Sequence, residues 1–339
     1  HTFTFVAPGS AVDEERWADV VNHHVNAIAH KAMVDPRELG DDFDDLIQAQ
    51  GEPFGSTSIY AQYRVFRLAR EAGIKVTLDG QGADELLAGY NGYPQGYLRS
   101  LLEKGRILSV PGFLRNWSAW PGRGFEQTLV TVGAVLTPRI ARSLALRVLG
   151  YDPTPAWLRR DWLRDHQVAM APPAAIPGTS EGHGRRLVEQ LRVALTGQGL
   201  TQLLRHGDRD SMRWSIESRV PYLTTTMAEF LLTLPECYLL YPRGETKHLF
   251  RAAMRGIVPR VVLERRDKIN FQTPEHDWLQ GQGARLLDWL SVADELTFLD
   301  AAKCKQEVSH LLDGKKSFSF QAWRLINYCR WTRLFELSL

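Results

Sequence analysis

Short strand-like runs alternate with amphipathic helical segments through the first part of the chain, and this alternation restricts the fold more than any other feature. The strand-like runs are residues 2–6, 32–34 and 74–78, and the helical segments are residues 13–30, 36–47 and 56–72. Gly73 follows the third helical segment, where a left-handed residue commonly ends a helix. Strands that alternate with helices predict a parallel sheet covered by helices, and therefore an α/β fold.

The alternation stops after about residue 95, and helical periodicity dominates the rest of the chain. The helical segments there are residues 96–146, 187–204, 227–234 and 286–339, and loops rich in Pro and Gly join them. We therefore predict two parts: an α/β part over residues 1–95 and a mainly helical remainder over residues 96–339.

Composition excludes several classes of protein. A hydrophobic fraction of 44% in 339 residues can form a sizeable core, and the formal net charge of +2 predicts no binding to nucleic acid or a membrane surface. The three cysteines show no CxxC spacing, so neither a disulfide framework nor a zinc ribbon is indicated, and a cytoplasmic location is favoured. No apolar run is long enough for a membrane span, and the first residues lack the order of a signal peptide.

The first of four motifs is LDGQGADELLAGY at residues 78–90, which leaves a predicted strand and enters a predicted helix. Its glycines let backbone N–H groups approach an anion, and a helix N-terminus adds partial positive charge. Asp84 and Glu85 would repel a phosphate on the same loop, and a bridging Mg²⁺ would resolve that conflict. The alternative is that both carboxylates only cap a helix. The motif lacks the third glycine of a dinucleotide fingerprint, and the chain has no Walker sequence.

Three further motifs carry clustered charge. The second motif is DRDSMRWSIESRVPYL at residues 208–223, the third is GETKHLFR at 244–251, and the fourth is RRDKINFQTP at 265–274. The second motif could be a ligand site or an internally paired structural network, and Lys247 and Arg251 of the third could simply share a solvated helix face. The basic fourth motif could hold departing pyrophosphate, because positive charge there is worth more as the transition state forms.

In this order, and over nearly the whole chain, the four motifs resemble the synthetase domain of class B, glutamine-dependent asparagine synthetases and their relatives, which include β-lactam synthetase and lasso-peptide cyclases. The resemblance implies a parallel sheet of the adenine-nucleotide α-hydrolase (ATP-pyrophosphatase) type. It also implies that ATP activates a carboxylate as its acyl-adenylate, that pyrophosphate leaves, and that an amine attacks. ATP and Mg²⁺ are thus the implied cofactors, and a small-molecule carboxylate is the implied substrate.

The resemblance also implies roles for single residues. Those implied to lie on the nucleotide or its phosphates are Phe5, Asp79, Gly80, Gly82 and Lys247. Phe5 would line the adenine through its backbone, and Asp84 would bind Mg²⁺. Lys268 would meet the α-phosphate or the pyrophosphate during catalysis, with Lys247 as a second candidate for pyrophosphate.

The sequence departs from the family in three respects. The family's Ser-Gly-Gly-x-Asp-Ser loop, upstream of the segment that matches residues 2–6, is absent, so we expect a longer natural chain and a sheet here that lacks its first strand. The glutaminase domain is also absent, and we expect this chain alone to be inactive. Gln81, the second catalytic candidate, stands where asparagine synthetases usually carry Glu, and a neutral amide cannot act as a general base.

Three functional hypotheses follow. The first is an ATP-dependent ligase that adenylates aspartate or a related acid and transfers glutamine-derived ammonia, releasing AMP and pyrophosphate. The second is a specialised amidotransferase or cyclase that acts on a sugar acid or a peptide, which Gln81 favours. The third is a non-catalytic binding or scaffold remnant of the same fold. The sequence leaves the oligomeric state open, with a homodimer as one alternative.

Overall fold

Short strands and many helices make up the part of the chain that the structure, a computed structural model, describes. These residues are 1–121, 123–124, 132–133, 154–168, 182–197, 199–267, 271–314 and 320–337. Lys268 and much of the helical segment predicted up to residue 146 lie outside them. The strands are β1 (Thr2–Val6), β2 (Ala29–Met33), β3 (Val76–Leu78) and β4 (Glu217–Arg219).

The helices follow in chain order. The first group is α1 (Glu15–His24), α2 (Pro36–Gln50), α3 (Ser58–Glu71), α4 (Ala83–Leu86), α5 (Pro94–Glu103) and α6 (Ser109–Ser118). The second group is α7 (Arg160–Asp165), α8 (Arg186–Thr196), α9 (Leu200–Arg213), α10 (Thr225–Thr233), α11 (Glu236–Leu239), α12 (His248–Ala253) and α13 (Arg260–Leu263). The last group is α14 (Glu275–Gln280), α15 (Arg285–Trp289), a 3₁₀ turn (Ser291–Asp294), α16 (Ala301–Leu312) and α17 (Phe320–Leu334). The prediction of an α/β chain with mostly helical content is confirmed.

The strands form two parallel pairs among the described residues. β1 pairs with β2 from Thr2 opposite Ala29, and β3 pairs with β4 from Val76 opposite Glu217. The parallel pairing confirms the prediction from the strand and helix alternation. β4 was not predicted: it lies in the mainly helical remainder after residue 95, where no strand-like run was recognised. The reason is that Glu217 and the last β4 residue, Arg219, are both exposed, so β4 has no alternating apolar signal and forms only by pairing with β3.

Two predicted helical segments differ from the helices in the structure, one by ending earlier and one by being divided. α1 stops before residue 30 because Asn26 adopts a left-handed φ of 50° and the N–H of Ala27 donates to the carbonyl of Asn22 at 2.9 Å. The segment predicted over residues 187–204 is divided into α8 and α9, and Gly199, with a φ of 100°, precedes α9. Glycine accepts that backbone conformation without the steric cost that a β-carbon imposes.

Local sequence explains why α2 begins and ends where it does. The side chain of Asp35 accepts a hydrogen bond from the N–H of Arg37, while the Glu38 side chain accepts one from the N–H of Asp35, which forms a capping box. Pro36 occupies the first turn, where its missing N–H is not needed. Gly51 ends the helix at a φ of 66°.

Two main cores hold the helices together. In the first, α2 packs against the C-terminal helices, and Phe43 lies 4.4 Å from Trp289 and 5.3 Å from Trp323 between ring centroids. In the second, α8 packs against both α4 and α5, and Leu86, Leu98 and Leu187 belong to this core. The short α4 belongs to the first motif, so this second core fixes the motif in place.

A small third cluster links the two strand pairs to α3. Phe66 and Ala69 of α3 pack with Ile216, and Phe3 of β1 and Ile74 just before β3 lie against them. α3 therefore packs against the first strand pair and against the residues that precede β3 and β4. The sequence indicated no disulfide framework, and Cys237, Cys304 and Cys329 are free thiols in the structure. In the described part of the chain, no helix combines the length and apolar character that crossing a membrane requires.

Candidate functional site

The first and second motifs are joined at the end of β3. The N–H of Asp79 donates to the carbonyl of Arg219 at 2.8 Å and so extends the pairing of β3 with β4. Gly82 follows with a φ of 88°, and a β-carbon there would collide with the side chain of Leu223. The positive φ and the close approach of Leu223 both require glycine at position 82, because any other residue would be strained at that φ and its β-carbon would have no room.

The first and third motifs meet in an ion pair. Lys247 Nζ lies 2.8 Å from Asp84 Oδ1, and the two side chains are only 26% and 21% exposed. The N–H of Lys247 also donates to the carbonyl of Leu87 at 3.1 Å. Gly89 closes the site from one side, because a β-carbon there would lie 2.6 Å from Lys247 Cε and 2.7 Å from Asp84 Cγ. The structure therefore brings two predicted site residues together from distant parts of the sequence.

Arg251 connects the third motif to the fourth. Its guanidinium donates to the carbonyl of Thr246 at 3.0 Å, to the carbonyl of Arg265 at 2.9 Å and to that of Leu263. Burial lowers the pKa of Arg251, and the nearby Arg265 adds to that effect. The interpretation of Lys247 and Arg251 as a solvated helix face is wrong, because Lys247 precedes α12 with a left-handed φ of 55° and both side chains have specific partners.

Phe5 lies against the fourth motif. Its ring meets Phe271 edge to face at 6.1 Å between centroids and meets Trp278 in the same way at 5.7 Å. A cavity of about 260 Å³ opens beside them, lined by the end of β1, residues 7–10, Pro274 and Trp278.

Asp79 folds back on its own loop. Burial raises the pKa of its carboxyl group, and hydrogen bonds from the N–H groups of Gln81 and Gly80 oppose that shift. Gly80 is exposed, and a β-carbon there would meet nothing within 4 Å. The loop thus presents an open surface at Gly80, while Gln81 is half-buried.

Asp84 and Glu85 both lie in the first turn of α4, where negative charge suits the helix dipole. They face different partners: Glu85 is buried and accepts a hydrogen bond from Tyr90 Oη at 2.8 Å, whereas Asp84 pairs with Lys247. Among the described residues, no cluster of three or more His, Cys, Asp or Glu side chains could hold a metal ion. Asp84 can thus supply one carboxylate ligand, which fits Mg²⁺, because this ion commonly takes one or two carboxylates and completes its shell with substrate phosphates and water.

Asp210 of the second motif belongs to a buried structural network. It is fully buried and accepts a hydrogen bond from Gln50 Nε2 at 2.7 Å, and burial raises the pKa of its carboxyl group well above the usual range. Gln50 Oε1 lies 2.7 Å from Nδ1 of His206. For Asp210 the structural alternative is therefore confirmed.

Three residues that lie beside the third and fourth motifs, Trp117, Trp120 and Arg123, were not identified from the sequence. The Arg123 guanidinium lies 3.6 Å from the Trp117 ring centroid and 4.9 Å from that of Trp120, and it donates to the carbonyl of Gly244 at 2.9 Å. None of the four motifs contains these positions, and their contacts with the third and fourth motifs join segments that are distant in sequence.

These features define an α/β protein with a glycine loop, a carboxylate and clustered cations at one site. A family model described as asparagine synthase matches residues 1–334, and the chain belongs to that family. The residues singled out from the sequence therefore come from its synthetase domain.

Several curated relatives carry the same family name. The chain is 24% identical over 330 residues to asparagine synthetase [glutamine-hydrolyzing] 1 of Bacillus subtilis, a match that covers 88% of this chain and 46% of the relative. It is 24% identical over 332 residues to a putative asparagine synthetase [glutamine-hydrolyzing] of Mycobacterium bovis, covering 86% and 44%. Asparagine synthetase [glutamine-hydrolyzing] 3 of Bacillus subtilis is 22% identical over 323 residues, covering 92% and 44%. The chain thus spans about half the length of these relatives.

Proposed function

We propose that this chain is the ATP-using part of a ligase that forms an amide by adenylating a carboxylate, with release of AMP and pyrophosphate. The observation that carries the proposal is the Asp84 to Lys247 ion pair at 2.8 Å, which joins a glycine loop to a second cationic motif. A carboxylate beside a lysine and a glycine loop suits phosphate chemistry, in which positioning and charge stabilisation supply most of the catalysis.

The strand ends indicate where ATP would bind. In parallel sheets, ligands bind beyond the carboxyl ends of the strands, and the loop after β3 contains Gly80 and Gly82 while the end of β1 lines the cavity beside Phe5 and Trp278. We assign the phosphates to the glycine loop and the adenine to the cavity at the end of β1. This assignment implies an ATP-pyrophosphatase sheet in which a further strand separates β1 from β3. Phe3 of β1 and Ile74, just before β3, both lie against α3.

The site residues then have distinct tasks. Lys247, held by Asp84 and Leu87, directs its ammonium group toward the phosphate region, and Lys268 supplies a second positive charge to the departing pyrophosphate. Asp84 would hold Mg²⁺, which when bound neutralises phosphate charge. Gln81 can orient an acceptor or the attacking amine through its amide, but it cannot remove a proton as a base.

The names of the relatives support glutamine as the nitrogen source, because each is described as glutamine-hydrolyzing. We propose that a glutaminase domain supplies ammonia to this site in the whole protein. Aspartate is the simplest acceptor. A specialised acceptor such as a sugar acid or a peptide is the second candidate, and the neutral amide of Gln81 favours it.

ATP–pyrophosphate exchange by the whole protein that contains this chain tests the proposal. The assay would compare aspartate, sugar acids and acidic peptides with Mg²⁺ present and with the ion removed by chelation. Exchange that requires both an acid and Mg²⁺ would support adenylation, and the acid that supports it would separate the two acceptor candidates. Absence of exchange with every acid would instead favour a non-catalytic protein of the same fold.

A further inference from the structure

An arginine-rich groove lies beside the third and fourth motifs. Two adjoining cavities, of about 630 and 510 Å³, share the lining residues Trp120, Glu245, Arg255 and Arg266. Both volumes fall in the range of roughly 300–1,000 Å³ that is usual for small-molecule sites. We call this combined space the arginine groove.

The charges that line the arginine groove are strongly unequal. The charged lining residues are Arg243, Arg251, Arg255, Arg260, Arg266, Glu245 and Glu264. Glu245 is already paired with His248 and Glu264 with Arg260. Arg243, Arg255 and Arg266 have no carboxylate partner within the described part of the chain. Uncompensated arginines in a concave site attract anions, because the low-dielectric walls concentrate their field.

The wall of the arginine groove is built from fixed aromatic groups. Trp120 Nε1 donates to the carbonyl of Arg243 at 3.3 Å, and the Arg266 guanidinium lies 5.6 Å from the Trp120 ring centroid. Tyr241 stacks on His248 with ring centroids 4.2 Å apart. Arg123, on the same tryptophan, has a pKa lowered to about 10 by burial and by the positive charge of Arg251. These contacts fix the aromatic wall beside Arg266, while Arg243 and Arg255 extend from exposed positions of the same groove.

The arginine groove is lined by residues of the same two motifs that contain Lys247 and Lys268. Glu245 and His248 lie on either side of Lys247 in the third motif, and Arg266 precedes Lys268 by two residues. A molecule in the groove would therefore extend from the region where the carboxylate is activated. That placement suits the part of the acceptor that does not react.

We propose that the arginine groove binds a phosphate group on the acceptor, so that the substrate is a phosphorylated carboxylic acid. This inference rests on the proposed function and specifies its substrate class. Three arginines without carboxylate partners exceed what a single carboxylate needs, whereas a phosphate monoester carries a charge of about −1.5 to −2 and three acceptor oxygens. The planar guanidinium group forms paired hydrogen bonds with phosphate oxygens, which explains why arginine rather than lysine lines the groove.

Binding of 6-phosphogluconate to the whole protein, measured by isothermal titration calorimetry without ATP, tests the inference. Gluconate is the matched ligand because it lacks only the phosphate. We expect 6-phosphogluconate to bind at least about tenfold more tightly than gluconate, since charged hydrogen bonds contribute on that scale. The affinity should also fall as salt rises, because exposed charges are screened. Equal binding of the two acids, or no binding of either, would overturn the inference.

Two variants locate the binding site. Arg255→Gln and Arg266→Gln should each weaken 6-phosphogluconate binding about tenfold, whereas Arg333→Gln, an exposed arginine on α17, should leave it unchanged. Unchanged binding in both groove variants would refute the assignment, and thermal unfolding would confirm that each variant is folded.

A competition experiment separates the two sources of phosphate. Excess pyrophosphate should leave 6-phosphogluconate bound, and complete displacement by pyrophosphate would show that the groove belongs to the leaving group and overturn the acceptor assignment. ATP–pyrophosphate exchange measured with phosphate-free acids and with 6-phosphogluconate tests the proposed ligase function separately. Exchange without phosphoacid binding would contradict only this inference, while absence of exchange with both kinds of acid would contradict the proposed function.

Discussion

Substituting Gly89 with alanine should separate the two charged groups at the centre of the proposed site. A β-carbon at Gly89 would lie 2.6 Å from Lys247 Cε, 2.7 Å from Asp84 Cγ and closer still to Asp84 Oδ1. Carbon atoms in contact prefer about 3.5–4.0 Å, so the lysine side chain must retreat by about 1 Å or more. The φ of Gly89 is not in the left-handed region, and alanine therefore changes the space without straining the backbone.

The expected magnitude follows from the ion pair. A displacement of about 1 Å would lengthen the 2.8 Å ion pair between Lys247 Nζ and Asp84 Oδ1. At an effective dielectric constant of about 20, that separation weakens the attraction by roughly 1.5 kcal/mol, which corresponds to a loss of about tenfold in rate if the pair orients the reacting phosphates. Overpacking should also lower the free energy of unfolding by about 1–3 kcal/mol.

ATP–pyrophosphate exchange and thermal unfolding, measured on the same preparations, check both expectations. Gly92→Ala is the matched control, because a β-carbon at Gly92 would meet nothing within 4 Å. Gly89→Ala should lose exchange activity while Gly92→Ala keeps it. Equal exchange rates in the two variants would refute the argument that the Asp84 to Lys247 geometry matters for catalysis.

Three other predictions concern stability. Burial raises the pKa of Glu275 from 4.5 to about 7. The free energy of unfolding should therefore fall by up to about 3 kcal/mol as the pH rises from about 4.5 to 7, because the folded state then resists loss of the proton. Glu275→Gln should remove this pH dependence, which thermal unfolding at pH 5 and pH 8 measures. Gln50→Leu leaves Asp210 and His206 without their hydrogen-bond partner, so it should lower the free energy of unfolding, measured in urea, by about 2–4 kcal/mol. The control Gln48→Leu, on the exposed face of α2, should have little effect. Gly82→Ala should destabilise the protein, and adding Leu223→Ala should restore stability only in part, because the backbone strain at a φ of 88° remains; full restoration would contradict the strain argument.

The first part of the fold was predictable because its signals are local. Asp35, Pro36 and Glu38 encode the start of α2, and Gly73, with a φ of 76°, ends α3 as its position predicted. A residue such as Gly73 acts through its own backbone and its immediate neighbours. One sequence is therefore sufficient to recognise it.

The rest depends on contacts between distant segments. β4 has three residues with exposed ends and forms only because β3 lies beside it, so no pattern within Glu217–Arg219 indicates a strand. In the same way, the sequence places Lys247 beside a helix, but only tertiary packing directs it to Asp84. The arginine groove combines residues at the end of α6 with residues between Tyr241 and Arg266, and could not be assembled from any one motif.

The central claim is that Asp84 serves phosphate chemistry at this site, and the exchange rate of Asp84→Asn tests it most directly. The measurement compares Mg²⁺-dependent ATP–pyrophosphate exchange by Asp84→Asn with that by Asp41→Asn, whose carboxylate is 67% exposed and pairs with Arg285. We predict that Asp84→Asn loses about 100-fold or more of the exchange rate, because an oriented charge in the transition state contributes on that scale, while Asp41→Asn exchanges at the wild-type rate. Wild-type exchange by a folded Asp84→Asn variant, with unchanged dependence on Mg²⁺, would contradict the account.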